Sequence, residues 1–149
     1  MRIALFQPDI AGNVGTVIRL GACTNVPVDL IEPMGFAYSD RALARAGMDY
    51  ADQAQVTRHA DWDAFLATRT GRLILFTTHA DTGLYHFDFE SQDTLLFGSE
   101  GSGAPDFVHD RADSRLRIPL APGMRSLNLA VSAGIALGEA LRQTGGWPA

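Results

Sequence analysis

The chain has 149 residues, 46% of them hydrophobic and 19% charged, which supports one globular core over residues 1–149 and argues against disorder. All twelve basic residues are arginine, so Schiff-base catalysis, pyridoxal phosphate anchoring and the phosphate-loop lysine are excluded. The formal net charge of −5 opposes bulk electrostatic binding of nucleic acid but leaves room for a local arginine patch.

Cys23 is the single cysteine, and His59, His79, His86 and His109 lie far apart, so neither a disulfide nor a zinc-ligand spacing is visible and no metal is expected. The apolar run at the N-terminus is too short for a signal peptide. Residues 126–138, the longest stretch without charge, fall short of a membrane span. A cytoplasmic protein without a membrane partner is the expectation.

Taken in chain order, residues 2–6 form an apolar run that reads as a strand stopped by Pro8. From Asn13 a helical stretch runs to about Asn25, with Val14, Val17, Ile18 and Ala22 on one face. Residues 28–31 read as a strand ended by Pro33 and Gly35, and residues 40–46 and 61–68 as helices, the second capped by Asp61. Residues 72–76 and 94–97 are near-continuous apolar runs of the kind found in sheets buried on both faces. Residues 117–119 read as a final short strand, and residues 127–143 as a helix rich in alanine and glycine. Strands alternating with helices give an α/β protein with a mostly parallel sheet. Gly134 and Gly138 inside the last helix each cost about 1 kcal/mol relative to alanine. Either the composition is simply alanine-rich, or the helix packs closely against another backbone, within the subunit or across a dimer.

Three segments can carry chemistry. The first is Asn13-x-Gly15-Thr16-x-x-Arg19, in which Asn13 can act as an N-cap and Arg19 as a solvated helix residue. The second is the loop Gly98-Ser99-Glu100-Gly101-Ser102-Gly103, directly after a strand. It lacks the Lys-Ser/Thr of a phosphate loop, the third glycine of a dinucleotide fingerprint and a serine nucleophile elbow. What remains is either an ordinary turn or a backbone cradle in which Glu100 suits a cationic or hydroxyl-bearing ligand. The third runs from Ile118-Pro119-Leu120 to Arg125-Ser126-Leu127-Asn128 at the start of the last helix, where Ser126 or Asn128 can cap.

Together and in this order, the three segments resemble the motifs of the SpoU-like branch of the SPOUT RNA methyltransferases, over nearly the whole chain. Residues 31–37 and 45–50 look like those of the minimal subfamily that methylates the ribose 2′-hydroxyl of the tRNA wobble nucleotide. The chain departs from the subfamily pattern at Ala11-Gly12, Ser102, Met124 and Ala130-Val131, changes that bear on RNA contacts rather than on the fold.

The resemblance implies a deep trefoil knot, which connectivity rules alone would never propose. It implies S-adenosylmethionine as methyl donor, bound by Phe76, Gly98, Ile118, Leu120, Ser126 and Leu127. It implies Asn13, Arg19, Glu100, Ser126 and Asn128 as catalytic residues, and a tRNA wobble-position ribose 2′-O-methyltransferase acting on cytidine or modified uridine. A guanidinium with a pKa above about 12 is a poor base, so Arg19 is expected to stabilise developing alkoxide charge or bridge to an RNA phosphate. The family's homodimer places the first and last helices at the interface, each site being completed by the partner. The RNA partner is the tRNA anticodon region, with Arg41, Arg45, Arg111, Arg115, Arg117 and Arg125 set against phosphates. The alternatives are a 2′-O-methyltransferase for another tRNA or rRNA site, a knotted protein that binds cofactor and RNA without turnover, and an α/β nucleotide-binding protein with no RNA partner.

Overall fold

The computed structural model describes residues 1–39, 41, 43, 50 and 52–149. The expected helix over residues 40–46 and the candidate Arg45 lie largely or wholly outside the described residues.

Among the described residues, seven strands form one sheet in the order β3-β2-β1-β6-β4-β7-β5. They are β1 (Arg2–Phe6), β2 (Val28–Ile31), β3 (Val56–His59), β4 (Leu73–Phe76), β5 (Thr82–Gly83), β6 (Thr94–Phe97) and β7 (Ser114–Arg117). Every paired neighbour runs parallel. The four central strands β1, β2, β4 and β6 are buried along almost their whole length and mostly apolar on both faces, with Arg2, Asp29 and Thr94 as their polar members, in keeping with a sheet covered on both sides. The β3 and β7 sequences, Val-Thr-Arg-His and Ser-Arg-Leu-Arg, carry more polar residues, because these strands lie towards the sheet's edges.

Helix α1 (Ala11–Thr24) and helix α4 (Leu129–Thr144) pack against each other, α1 also on β2 and α4 on β6. Their core includes Ile3, Leu5, Val14, Ile18, Leu95, Phe97 and Leu137. The opposite face, with Ala4, Phe6, Leu75 and Leu96, is covered by Trp62 and Phe65 of α2 (Trp62–Thr68) and Val108 of α3 (Asp106–Arg111). The two-residue alternation of β1 therefore feeds two different cores from one strand.

Several boundaries differ from the sequence expectations. Helix α1 starts at Ala11, two residues before Asn13, and Ile10 occupies its N-cap without a side-chain cap bond. The Asn13 side chain instead meets Asn128 at the far end of the chain. Strand β7 ends at Arg117, so Ile118 and Pro119 lie beyond it: proline lacks the N–H needed to continue the ladder and biases the residue before it. The last helix begins at Leu129 with Asn128 as its cap, the Asn128 side chain accepting from the Ala130 and Val131 amides. Asp61 caps α2 as expected, accepting from the Ala64 amide at 2.8 Å. Gly134 and Gly138 are not demanded by packing within the chain: a Cβ at Gly134 would meet nothing within 4 Å, and one at Gly138 only Trp147 at 3.9 Å.

The polar ends of the sheet are tied by charge. Asp29 in β2 is buried and accepts from the Arg2 guanidinium at 2.7 and 2.9 Å, and His59 Nε2 lies 2.8 Å from the same carboxylate. One carboxylate thus joins β1, β2 and β3 across the sheet.

Candidate active site

The chain leaves β1 towards β2 and β3 on one side, then returns to build β4, β6 and β7 on the other. In open parallel sheets such a reversal leaves a crevice outside the carboxyl ends of the strands, where ligands bind. A cavity of about 620 Å³ lies there, within the range of about 300–1,000 Å³ usual for small-molecule sites.

Three strand ends and the loops leaving them build its wall. After β4 come Phe76 and the turn Thr77-Thr78-His79; after β6 come Phe97 and the loop from Gly98 to Ala104; after β7 come Ile118 and Leu120. The segment 125–129 and the start of α1, through Ile10 and Asn13, close the mouth. Phe76 and Phe97 stack with ring centroids 5.0 Å apart and an interplanar angle of 11°, giving the cavity a flat apolar floor.

The loop after β6 folds back on itself. The Ser99 and Gly103 amides and carbonyls pair in both directions, and the Ser99 and Ser102 hydroxyls lie 2.8 Å apart. Gly98 is required sterically: a Cβ there would sit 2.4 Å from the Ala104 nitrogen and from the Gly103 carbonyl carbon. The loop's backbone crosses the cavity wall at a distance that only a residue without a side chain permits.

Glu100 pins this loop to the segment after β1. The Asp9 amide donates to Glu100 Oε2 at 2.7 Å, and the Gly101 amide donates to Asp9 Oδ2 at 3.0 Å. Burial pushes the Glu100 carboxyl above its ordinary value; the Asp9 amide opposes that rise and the Asp9 charge adds to it. Among the described residues, Glu100 Oε1 is buried with no hydrogen-bond partner.

Asn128 joins the two helices at the mouth. Its Nδ2 donates to Asn13 Oδ1 at 2.9 Å while its Oδ1 caps α4. A side chain in the third motif thereby fixes one in the first, 115 residues away.

Of the residues singled out from sequence, Asn13, Phe76, Gly98, Glu100, Ile118, Leu120, Ser126, Leu127 and Asn128 all border this one cavity. Arg19 does not. It lies further along α1, exposed, with its guanidinium carbon 4.9 Å from the centroid of the Tyr50 ring. Arg125 also borders the cavity, while Arg41, Arg111, Arg115 and Arg117 are exposed away from its wall. Sequence reasoning missed Ile10, Thr77, Thr78, His79, His109 and Ser132, which border it too. The signal for the first four was positional: each lies beyond the carboxyl end of a parallel strand, where ligand contacts concentrate. Among the described residues no group of three or more His, Cys, Asp or Glu side chains is placed to hold a metal ion, and no helix is long and apolar enough to cross a membrane.

A parallel sheet with its cavity at the strand ends, glycine-lined and closed by the start of the last helix, is the ligand-crevice arrangement of open α/β proteins. The model of the SpoU rRNA Methylase family matches residues 1–138, and the chain belongs to that family of methylases. A relative from Beijerinckia indica, named tRNA (cytidine(34)-2′-O)-methyltransferase, is 52% identical over 146 residues, covering 96% of this chain and 91% of its own. The solved structure described as "Structural insights into the 2-OH methylation of C/U34 on tRNA" superposes with a TM-score of 0.91 at 40% identity, covering 95% of this chain and 94% of that one. An AdoMet-bound rRNA methyltransferase from Sinorhizobium meliloti superposes with a TM-score of 0.84 at 27% identity, covering 95% of this chain and 55% of its own.

Proposed function

We propose that this chain is a tRNA (cytidine(34)-2′-O)-methyltransferase that transfers a methyl group from S-adenosylmethionine to the ribose 2′-oxygen of the wobble nucleotide, cytidine or modified uridine. The observation that carries the reading is the convergence of three distant segments on one cavity, in a chain 52% identical to a relative of that name. Residues 1–149 act as one catalytic domain, its segments 98–104 and 118–128 being the loops of a deep trefoil knot. The protein works in the cytoplasm on the anticodon region of tRNA.

The cavity fits the donor. The Phe76–Phe97 floor with Ile118, Leu120 and Leu127 offers apolar surface for an adenine, and the loop at Gly98 offers close backbone contact. S-adenosylmethionine brings a methyl group already activated on a sulfonium, so the protein's task is positioning and management of the hydroxyl proton. Ser126 and the Asn13–Asn128 pair stand at the mouth, where they orient the incoming ribose hydroxyl. Glu100 holds the second loop against Asp9 and so sets the cavity's width.

Arg19 stabilises the developing alkoxide in a second copy of the chain. Its place outside its own cavity supports this reading of a homodimer in which each site is completed by the partner. So do the exposed Ile10, Leu127 and Val131 near the mouth and the open space at Gly134.

The test is methyl transfer from labelled S-adenosylmethionine to tRNA lacking wobble methylation, with nuclease digestion and mass mapping of the product. A 2′-O-methyl group at the wobble nucleotide is the expected result. Methylation at another nucleotide would keep the reaction and refute the site. A folded protein that binds cofactor and tRNA yet transfers nothing would overturn the enzymatic reading.

A further inference from the structure

Among the described residues, three arginines lie over aromatic rings: Arg19 over Tyr50 at 4.9 Å, Arg58 over Tyr38 at 4.2 Å and Arg72 over Phe87 at 5.0 Å. Two of them are also paired to carboxylates. Arg58 donates to Glu32, and Arg72 to Asp93 at 2.8 Å with Glu90 at 3.3 Å. Their donors are occupied, as in structural ion pairs. Among the described residues no carboxylate pairs with Arg19; the ring is its partner.

The difference has a chemical consequence. A carboxylate holds a guanidinium by neutralising it and occupying its N–H groups. An aromatic face holds it by the ring quadrupole and leaves charge and in-plane donors free. Tyr50 is itself well placed to serve as a fixed support. Its carbonyl accepts from both the Gln53 and Ala54 amides at 3.0 Å, a turn that leads into β3, and Ala54 packs on the core. The backbone at Tyr50 is thus held independently of the arginine that its ring carries.

We propose that Tyr50 is the positioning residue for Arg19, holding the guanidinium in register by stacking while leaving its charge and donors available to the reacting oxygen. This rests on the reading that Arg19 takes part in methyl transfer. The stack restricts a side chain that otherwise has many rotamers.

The experiment measures kcat and KM for tRNA and for S-adenosylmethionine in Tyr50→Leu, Tyr50→Phe, Arg19→Ala and the double variant Tyr50→Leu/Arg19→Ala, with cofactor affinity and thermal midpoint as folding controls. Tyr50→Leu is expected to lower kcat by about tenfold, the size of a lost partly shielded cation–π contact, with KM for S-adenosylmethionine and the thermal midpoint unchanged. Tyr50→Phe, which keeps the ring, should restore most of kcat. On an Arg19→Ala background, Tyr50→Leu should cost nothing further, since the two act as one unit. Should Tyr50→Leu fail to fold, Tyr50→Gln takes its place. Independent, multiplying effects of the two substitutions would overturn the proposal, and so would a Tyr50→Phe enzyme as slow as Tyr50→Leu. Wild-type activity in Arg19→Ala would instead overturn the catalytic reading of Arg19, and the positioning role with it.

Discussion

Glu100 is a carboxylate held in a place that does not favour its charge. Burial and the neighbouring Asp9 raise its titration point in the folded chain above the ordinary 4.5. A carboxyl whose folded value is raised contributes stability at low pH that is lost as the pH climbs through the folded value. Glu100→Gln keeps an oxygen for the Asp9 amide and removes the buried charge. The variant should therefore melt at a higher temperature than the parent at a pH of about 7–8, with the gap closing as the pH falls below about 4.5. Melting curves across that range check it; a gap independent of pH would refute the assignment. Gly98 makes the complementary point through sterics. Gly98→Ala sets a Cβ 2.4 Å from two backbone atoms of the same loop, and should cost about 2 kcal/mol of stability. Loss of S-adenosylmethionine affinity beyond the loss of stability, read by calorimetry, is the expected signature of a distorted cradle.

At the scale of elements, the sheet is held by more than its ladder. Asp29 receives the Arg2 guanidinium and lies against His59, so β1, β2 and β3 share one buried carboxylate. Removing one member of such a group strands the others without compensation. Asp29→Ala should destabilise the fold by about 3 kcal/mol, measured by denaturant unfolding, and by more than Arg2→Ala, which leaves His59 still paired. The helix starts divide structural and functional work differently. Helix α2 begins on Asp61, which serves as its cap. Helix α4 begins on Asn128, which caps it and also holds Asn13 of α1. The alanines Ala133, Ala136 and Ala140 of α4 are fully buried against the core, while Gly134 faces open space and Gly138 lies beside Trp147.

At the scale of the whole molecule, a single chain holds all of the candidate cavity residues except Arg19. If the partner supplies it, two impaired variants can repair each other. Arg19→Ala and Asn128→Ala homodimers should each keep only a small, measurable residue of methyl transfer, although Asn128→Ala loses only about 1 kcal/mol of stability as a missing cap. Unfolded and refolded together, they should recover about a quarter of wild-type activity, because half the dimers are mixed and each mixed dimer has one intact site. No recovery in a mixture that demonstrably forms mixed dimers would place Arg19 in its own chain's site.

The α/β class, the central strands and the three segments that meet at the cavity are legible in the amino-acid sequence alone. The buried apolar runs at residues 73–76 and 94–97 are those of strands in a sheet covered on both faces, and Gly98 and Asn128 mark a loop and a helix start by their local chemistry. Polar edge elements were illegible. Strand β3 and helix α3 carry little hydrophobic pattern, and their place comes from neighbours distant in the chain. Three features belong to the tertiary structure: Asn13 bonds to Asn128 rather than capping its own helix, Thr77 and His79 border the cavity, and Arg19 rests on Tyr50 outside it. Local propensity and periodicity report what a segment becomes. Which side chains then meet depends on the order of strands in the sheet, which brings the carboxyl ends of β4, β6 and β7 to one crevice from scattered positions in the sequence.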